Sequence, residues 1–364
     1  MKSIEKKHIW RRFTNWISVN RKKVLIIGGI VLVLAAAAVT VIILFLKPAA
    51  QTEQSNANIQ IPIVVEPIKY YSKLTGSLVP TEAATKQAVT AIMIENSPDA
   101  RPQSGLKNSG VVFEAIAEGG ITRFLVLYQS EKPQLIGPVR SIRMYYVDWL
   151  AAFNASVAHI GGSAAALTEV RGGDYRDIDQ FFNSQAYWRA SDRYAPHNVY
   201  TSFAKLDELN LSRGYTESSF TGFSRTDSTP VVTPDASSIE VHVSSSLFDS
   251  SYVYNPTTNN YDRYQAGELH TDREEGNITP SVVIAMYVDE ETIFEDGYRQ
   301  SIKTIGTGNA VIFQNGTAIE GTWTKNSKTS QITFTDSTGA DIPLVRGQTW
   351  ITAVPNEGGS VTWS

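Results

Sequence analysis

Val111-Val-Phe-Glu-Ala-Ile-Ala-Glu-Gly-Gly-Ile-Thr-Arg-Phe-Leu-Val-Leu-Tyr128 decides the fold of this chain. Two apolar runs rich in β-branched and aromatic residues, 111–117 and 122–128, flank Gly119-Gly120, and the segment reads as a β-hairpin. Upstream, residues 88–95 form a short buried-strand pattern that Asn96, Pro98 and Pro102 bring to a stop. Downstream, residues 144–154 have helical spacing, with Tyr145, Trp149 and Phe153 on one stripe. Residues 155–160 read as another strand, ending in Gly161-Gly162. Ser163 is placed to cap a helix over 164–170, and Thr201 or Ser202 to cap one over 203–211. Strands alternating with helices predict an α/β domain over 70–225.

Beyond Arg225 the texture changes. Thr, Ser and Pro cluster over 226–238 as a linker. Short β-branched and aromatic runs, punctuated by Asn255, Asn259-Asn260, Asn315-Gly316 and Gly339, then continue through 239–364. This predicts an all-β domain, a sandwich or a partly open barrel. The expected fold class is α+β overall.

The first 23 residues hold eight Lys or Arg against one acid, Glu5, and the next 23, 24–46, hold no charged or amide side chain. At about 1.5 Å per residue such a helix is roughly 35 Å long, enough to cross a hydrocarbon core of about 30 Å. The basic flank predicts a cytoplasmic N-terminus (1–23), a single span (24–46), a stalk (47–69) and extracytoplasmic domains. Trp10, Phe13 and Trp16 would lie at the headgroups, so the bilayer is the first expected partner. The competing reading is a cleaved signal peptide, whose apolar region is usually shorter, about 7–15 residues.

The chain has no cysteine, which excludes disulfides, thiol nucleophiles and a thioether-linked lipid. Past residue 23 it carries 24 basic and 35 acidic residues, a net charge of −11. Nucleic acid and polyanions in general are poor partners for such a surface, so affinity for phosphate would need a local group of arginines.

Three segments combine glycine with charge beyond what packing needs: 96–106, with Arg101 and Gln103; 114–143, with Glu114, Glu118, Arg123, Arg140 and Arg143; and 159–198, with His159, Gly161, Gly162, Ser163, Arg189, Asp192, Arg193, His197 and Asn198. Arg140 and Arg143, three apart at the mouth of a helix, would share a face and suit a phosphate or carboxylate. They could equally pair with Glu114 and Glu118 across the sheet. His159 alone is more often a hydrogen-bonded structural residue than a catalyst, and His197 a turn stabiliser. Gly161-Gly162 serves a tight turn as well as it serves a ligand. Taken jointly the segments predict one arginine-lined cleft.

No Walker loop, dinucleotide fingerprint or Gly-x-Ser-x-Gly elbow occurs. No two histidines have metal spacing, and His270-Thr-Asp272 is better read as a surface turn. The sequence names no cofactor, and a hard cation on Asp or Glu stays open.

The stretches Ala100-Arg-Pro-Gln-Ser-Gly-Leu106, Glu118-Gly-Gly-Ile-Thr-Arg123, Gly137-Pro-Val-Arg-Ser-Ile-Arg143, His159-Ile-Gly-Gly-Ser163, Ala195-Pro-His-Asn198, Gly321-Thr-Trp-Thr-Lys325 and Gly347-Gln-Thr-Trp-Ile351 resemble the YerB family of Gram-positive envelope proteins. The resemblance covers about 74–355 and implies two ectodomains, N-terminal α/β and C-terminal β, of unassigned function. The resemblance implies proteins often described as lipoproteins, but this chain has no cysteine to lipidate. A fainter likeness to the LytR-CpsA-Psr phosphotransferases rests on Arg140-x-x-Arg143 and matches no full motif.

Two functions follow. The first is an envelope protein that binds an anionic cell-wall polymer, a lipid-linked precursor or a partner protein, through Arg101, Gln103, Arg123, Arg140, Arg143, Gly161, Gly162, Ser163, Arg189, Arg193 and Asn198. The second is a phosphoryl or glycosyl transferase or hydrolase using Glu114, Glu118 or His159 as base, with Asp192 or His197 assisting.

Overall fold

A computed structural model describes residues 2–45, 68–293 and 299–364. The chain divides into two compact units, Met1–Glu66 and Pro67–Ser364. In the first, α1 (Lys2–Val19) is followed by α2 (Arg21–Phe45). The span expected over 24–46 falls on α2, with residue 46 outside the described residues. Among the described residues no helix is long and apolar enough to cross a membrane. The stalk, save residues 68 and 69, also lies outside them.

The second unit is α+β, with an N-terminal domain and a sheet-rich C-terminal region. Its strands used below are β1 (Thr90–Glu95), β2 (Val111–Glu118), β3 (Ile121–Tyr128), β4 (Ser156–Ala158), β5 (Arg176–Asp177), β6 (Ser238–His242), β7 (Ser250–Asn255), β8 (Asn260–Gln265), β9 (Val282–Val288), β10 (Gly306–Gln314), β11 (Thr317–Lys325), β12 (Thr349–Pro355) and β13 (Ser360–Trp363). The helices are α3 (Met144–Leu150), α4 (Ala164–Val170) and α5 (Phe203–Ser212).

The expected hairpin is β2–β3, with Gly119 and Gly120 both at positive φ in its turn. Its side chains alternate between two cores, as a period of two requires. Phe113, Ala115, Leu125 and Leu127 face one core with the α3 residues Tyr145, Tyr146 and Trp149. Val112, Phe124, Val126 and Tyr128 face the other, with Phe203, Leu206 and Leu209 of α5. Burial on both faces explains why these strands read as unbroken apolar runs.

The two sequence regions share one twelve-stranded sheet, whose main path ends in β11-β10-β9-β12-β2-β3-β1-β4-β5. The seam is β12, wholly buried, which runs parallel to β9 on one side and to β2 on the other, opposing Trp350 to Val112. No sheet boundary therefore falls at the linker. A five-stranded antiparallel sheet containing β8-β7-β6-β13 covers part of the C-terminal end. Between them Ile239, Val241, Tyr252, Val283, Phe313 and Val354 form a third core.

Local expectations hold closely. The helix over 144–154 is α3 followed by a 3-10 turn, closed by Asn154 at φ 49°. Ser163 and Ser202 cap α4 and α5 through their hydroxyls.

Candidate functional site: a cleft around His197

Strand β1 is wholly buried and ends in Glu95, a carboxylate closing the apolar run 91–94. The segment before α3 docks alongside: Glu95 N–H donates to Pro138 O (2.9 Å) and Arg140 N–H to Met93 O (2.9 Å). Val139 N–H in turn donates to Val199 O (2.7 Å), which brings the 195–199 turn to the same place. Three segments distant in sequence therefore converge on one carboxylate.

Glu95 Oε1 accepts from Ser97 Oγ (3.1 Å) and lies 3.0 Å from His197 Nδ1 and 3.2 Å from Arg140 Nε. Ser97 Oγ is also 3.2 Å from His197 Nδ1. A serine protease relay needs serine and carboxylate on opposite ring nitrogens, and here both sit at Nδ1. What this arrangement does is orient the imidazole. His197 Nε2 has no hydrogen-bond partner among the described residues, Asp99 Oδ2 being 3.9 Å away.

Above this floor lies a cleft of about 550 Å³ lined by Asp99, Asp192, Arg193, Tyr194, Ala195, His197 and Arg273. Arg193 donates to Asp99 O (2.9 Å) and Pro102 O (2.5 Å), neutral acceptors, and among the described residues no carboxylate is in ion-pair contact with it, although its charge helps to lower the Asp192 pKa. Arg273 pairs with Asp192, and that hydrogen bond holds the exposed Asp192 carboxyl below its usual range. Behind the rim, Asn198 accepts from Arg189 Nη1 (2.7 Å) and donates to Ala190 O (3.2 Å), which fixes the loop.

Asp192, Arg193, His197 and, through Glu95, Arg140 thus meet. The remaining arginines do not join them, which corrects the expectation of a single arginine-lined cavity. Arg140 and Arg143 lie on extended backbone ahead of α3, where a spacing of three places side chains on opposite faces. Arg143 turns to Glu118, as does Arg123 (3.0 Å). Burial raises the Glu118 pKa, and these two arginines more than reverse that, leaving it lowered. Arg101 donates to Asn96 O (3.0 Å) and Leu247 O (2.8 Å) over the Phe248 ring, and burial brings its pKa down to about 10.

The other expected bases are also engaged. Buried Glu114 accepts from Arg263 Nη2 (2.8 Å), Trp350 Nε1 (2.9 Å) and Thr122 Oγ1 (3.0 Å). Buried His159 has Nδ1 on Gly161 O (2.8 Å) and Nε2 on Asp177 Oδ1 (3.0 Å), so neither nitrogen is open to a substrate. Gly161, at φ 64°, and Gly162, whose Cβ would meet Ile142, form the turn into α4, and Ser163 is its cap. Gln103 links the floor to a buried network: it donates to Glu95 O (3.0 Å) and its Oε1 meets His270 Nε2 (3.0 Å). Among the described residues no three His, Asp or Glu are grouped to hold a metal.

Glu95, Ser97, Asp99 and Arg273 escaped the sequence reading. A lone carboxylate ending an apolar run was the available signal for Glu95. Arg273 sits in a turn 81 positions from Asp192 and 170 from Gln103, whose carbonyl its N–H meets, with nothing local to mark it.

Residues 74–216 match the family described as "Protein of unknown function (DUF3048) N-terminal domain", and residues 239–351 match its C-terminal domain. The chain is 32% identical over 295 residues to "Putative lipoprotein YerB" of Bacillus subtilis (strain 168), covering 79% of this chain and 87% of that protein. The crystal structure of the Bacillus subtilis YerB protein superposes with a TM-score of 0.72 at 30% identity, over 81% of this chain and all of the other.

Proposed function

The chain belongs to the YerB-like family, whose two domains are both of unknown function, and from that premise we propose a membrane-attached envelope protein that binds a polar wall ligand in the cleft around His197. The carrying observation is an imidazole that lines the cleft with Arg193, held at Nδ1 by Glu95 and Ser97 and with no hydrogen bond at Nε2 among the described residues. Arg140 and Arg273 already face Glu95 and Asp192, so Arg193, without a carboxylate in ion-pair contact among the described residues, is the cation of the lining left to meet an anionic group. Exposed Asp99 complements it with a place for an ammonium or amide N–H. A ligand carrying one anionic group and one donor a few ångströms apart fits this pattern better than a polyanion does. Peptide portions of a cell-wall polymer have that chemistry.

Attachment is proposed through the uncharged run 24–46, preceded by eight basic residues and by exposed Trp10, Phe13 and Trp16. The relative's lipoprotein description supports a membrane location, and with no cysteine here the helix would serve as the anchor. Alkaline extraction of membranes tests this: a chain that stays with the bilayer until residues 24–46 are replaced supports the anchor, and release of the wild type refutes it.

The test of the cleft is calorimetric titration of the full chain in detergent with a synthetic wall stem pentapeptide. His197→Gln and Arg193→Lys should each weaken binding at least tenfold. Wild-type affinity in both variants would remove the site. The transferase reading keeps one of its five candidates with an open ring nitrogen, His197; hydrolysis of the peptide-linked polymer by wild type and not by His197→Gln would establish it.

A further inference from the structure

The sheet face that carries the third core does not end where the five-stranded sheet stops covering it. Along β9 this face shows Val283, Ala285 and then Tyr287; along β10, Phe313, Val311 and then Asn309; along β11, Ala318, Glu320 and Thr322. The covered positions are apolar and the uncovered ones polar or amphipathic. They lie side by side, since Asn309 opposes Thr322 and Val311 opposes Glu320. With Ser337, and with Val361 and Trp363 of β13, they line a groove of about 540 Å³.

The groove's hydrogen-bonding groups contrast with those of the His197 cleft, where charged groups largely face one another. Here Tyr287 Oη, the Asn309 amide, the Glu320 carboxylate, the Thr322 and Ser337 hydroxyls and Trp363 Nε1 have no side-chain partner among the described residues. The aromatic walls are nevertheless fixed. Trp363 packs edge-on against buried Phe313 (5.5 Å between centroids), and its strand is paired to β6, with Trp363 opposite Ile239. Tyr287, Val361 and Trp363 are half-buried against the third core. Ordering a ligand there requires little ordering of the protein.

The geometry points to a saccharide-binding site in this groove, taking a neutral or amino-bearing oligosaccharide. Half-buried aromatic rings offer an apolar platform to the C–H face of a pyranose, while surrounding amide, carboxylate and hydroxyl groups meet its hydroxyls. The single charge in the lining is Glu320, which disfavours phosphorylated or uronic sugars and accepts from hydroxyl or acetamido N–H groups.

The test is saturation-transfer NMR and calorimetry on the full chain in detergent, with chitotetraose and maltotetraose as probes. Saturation should pass to the pyranose C–H protons of at least one probe. Trp363→Ala should weaken that binding at least tenfold, and Asn309→Ala and Glu320→Gln, both at exposed positions that leave the core intact, by three- to tenfold each. Failure of both sugars to bind at 10 mM (roughly 3 kcal/mol of affinity) would overturn the proposal, as would unchanged affinity in the Asn309 and Glu320 variants.

Discussion

Removing the Glu114 carboxylate should unfasten the two sequence regions of the second unit. Glu114 comes from β2 and Arg263 from β8, 149 positions apart, and both are buried, at 1% and 0% side-chain exposure. The guanidinium also meets Tyr252 Oη (3.2 Å), Gln265 Oε1 (3.0 Å) and His270 Nδ1, and lies 4.3 Å from the Trp350 ring centroid. Glu114→Ala leaves that cation without its counter-charge and Trp350 Nε1 without its acceptor. Breaking one side of a buried pair costs about 3–5 kcal/mol, whereas replacing both sides by apolar groups is often near neutral. At about 2 °C per kcal/mol for a large domain, the single variant should melt roughly 6–10 °C lower. Thermal and urea denaturation of the full chain in detergent, followed by tryptophan fluorescence, measure the melting shift and the free-energy loss. The Glu114→Met/Arg263→Met double variant should recover more than half of the single-variant loss. A single-variant loss below about 1 kcal/mol, the range of an exposed pair, would refute the reasoning. So would a double-variant loss equal to the sum of the two singles.

Further expectations concern pH and capping. Burial, then Arg263 and Arg101, push the His270 pKa well below its usual value. The unfolded chain therefore takes up a proton below about pH 6.5 that the folded chain refuses, and stability falls as pH drops, by up to about 1.4 kcal/mol per unit. His270→Asn should remove that slope between pH 6.5 and 5 in denaturation curves. Burial raises the Glu290 carboxyl to about 7. The folded state thus holds a proton that the unfolded state has released between about pH 4.5 and 7, and above pH 7 the charged form is disfavoured. Glu290→Gln should raise the urea midpoint at pH 8 by an amount worth up to about 3 kcal/mol, a difference that vanishes toward pH 5. Ser163→Ala, removing the cap bond to Ala166 N–H (3.4 Å), should cost about 0.5–2 kcal/mol in the same assay without altering stem-peptide affinity.

The parts of the fold legible in the sequence were those fixed by neighbours along the chain. The hairpin around Gly119-Gly120, the caps Ser163 and Ser202 and the stripe of Tyr145, Trp149 and Phe153 all follow from periodicity and local hydrogen bonding. The joining of the two regions was not legible, because β12 reads as one more short strand, and nothing within it names β2, some 235 positions away, as its neighbour. The site divided the same way. His197, Arg193 and Asp192 stood out by residue type in a turn. Whether an arginine is available or already paired depends on distant groups such as Glu118, Glu95 and Arg263, and that decided against one cavity holding Arg101, Arg123, Arg140 and Arg143. Glycines posed a similar ambiguity: Gly161 and Gly162 are there for the turn into α4.

The most direct test of the His197 cleft is long-range 15N–1H NMR of the imidazole rings during addition of the stem pentapeptide. The account predicts that the His197 Nε2 resonance moves with the ligand while Nδ1, shielded by Glu95 and Ser97, stays in place, and that Glu95→Gln abolishes this difference. Saturating peptide that leaves both His197 nitrogens unmoved would contradict it.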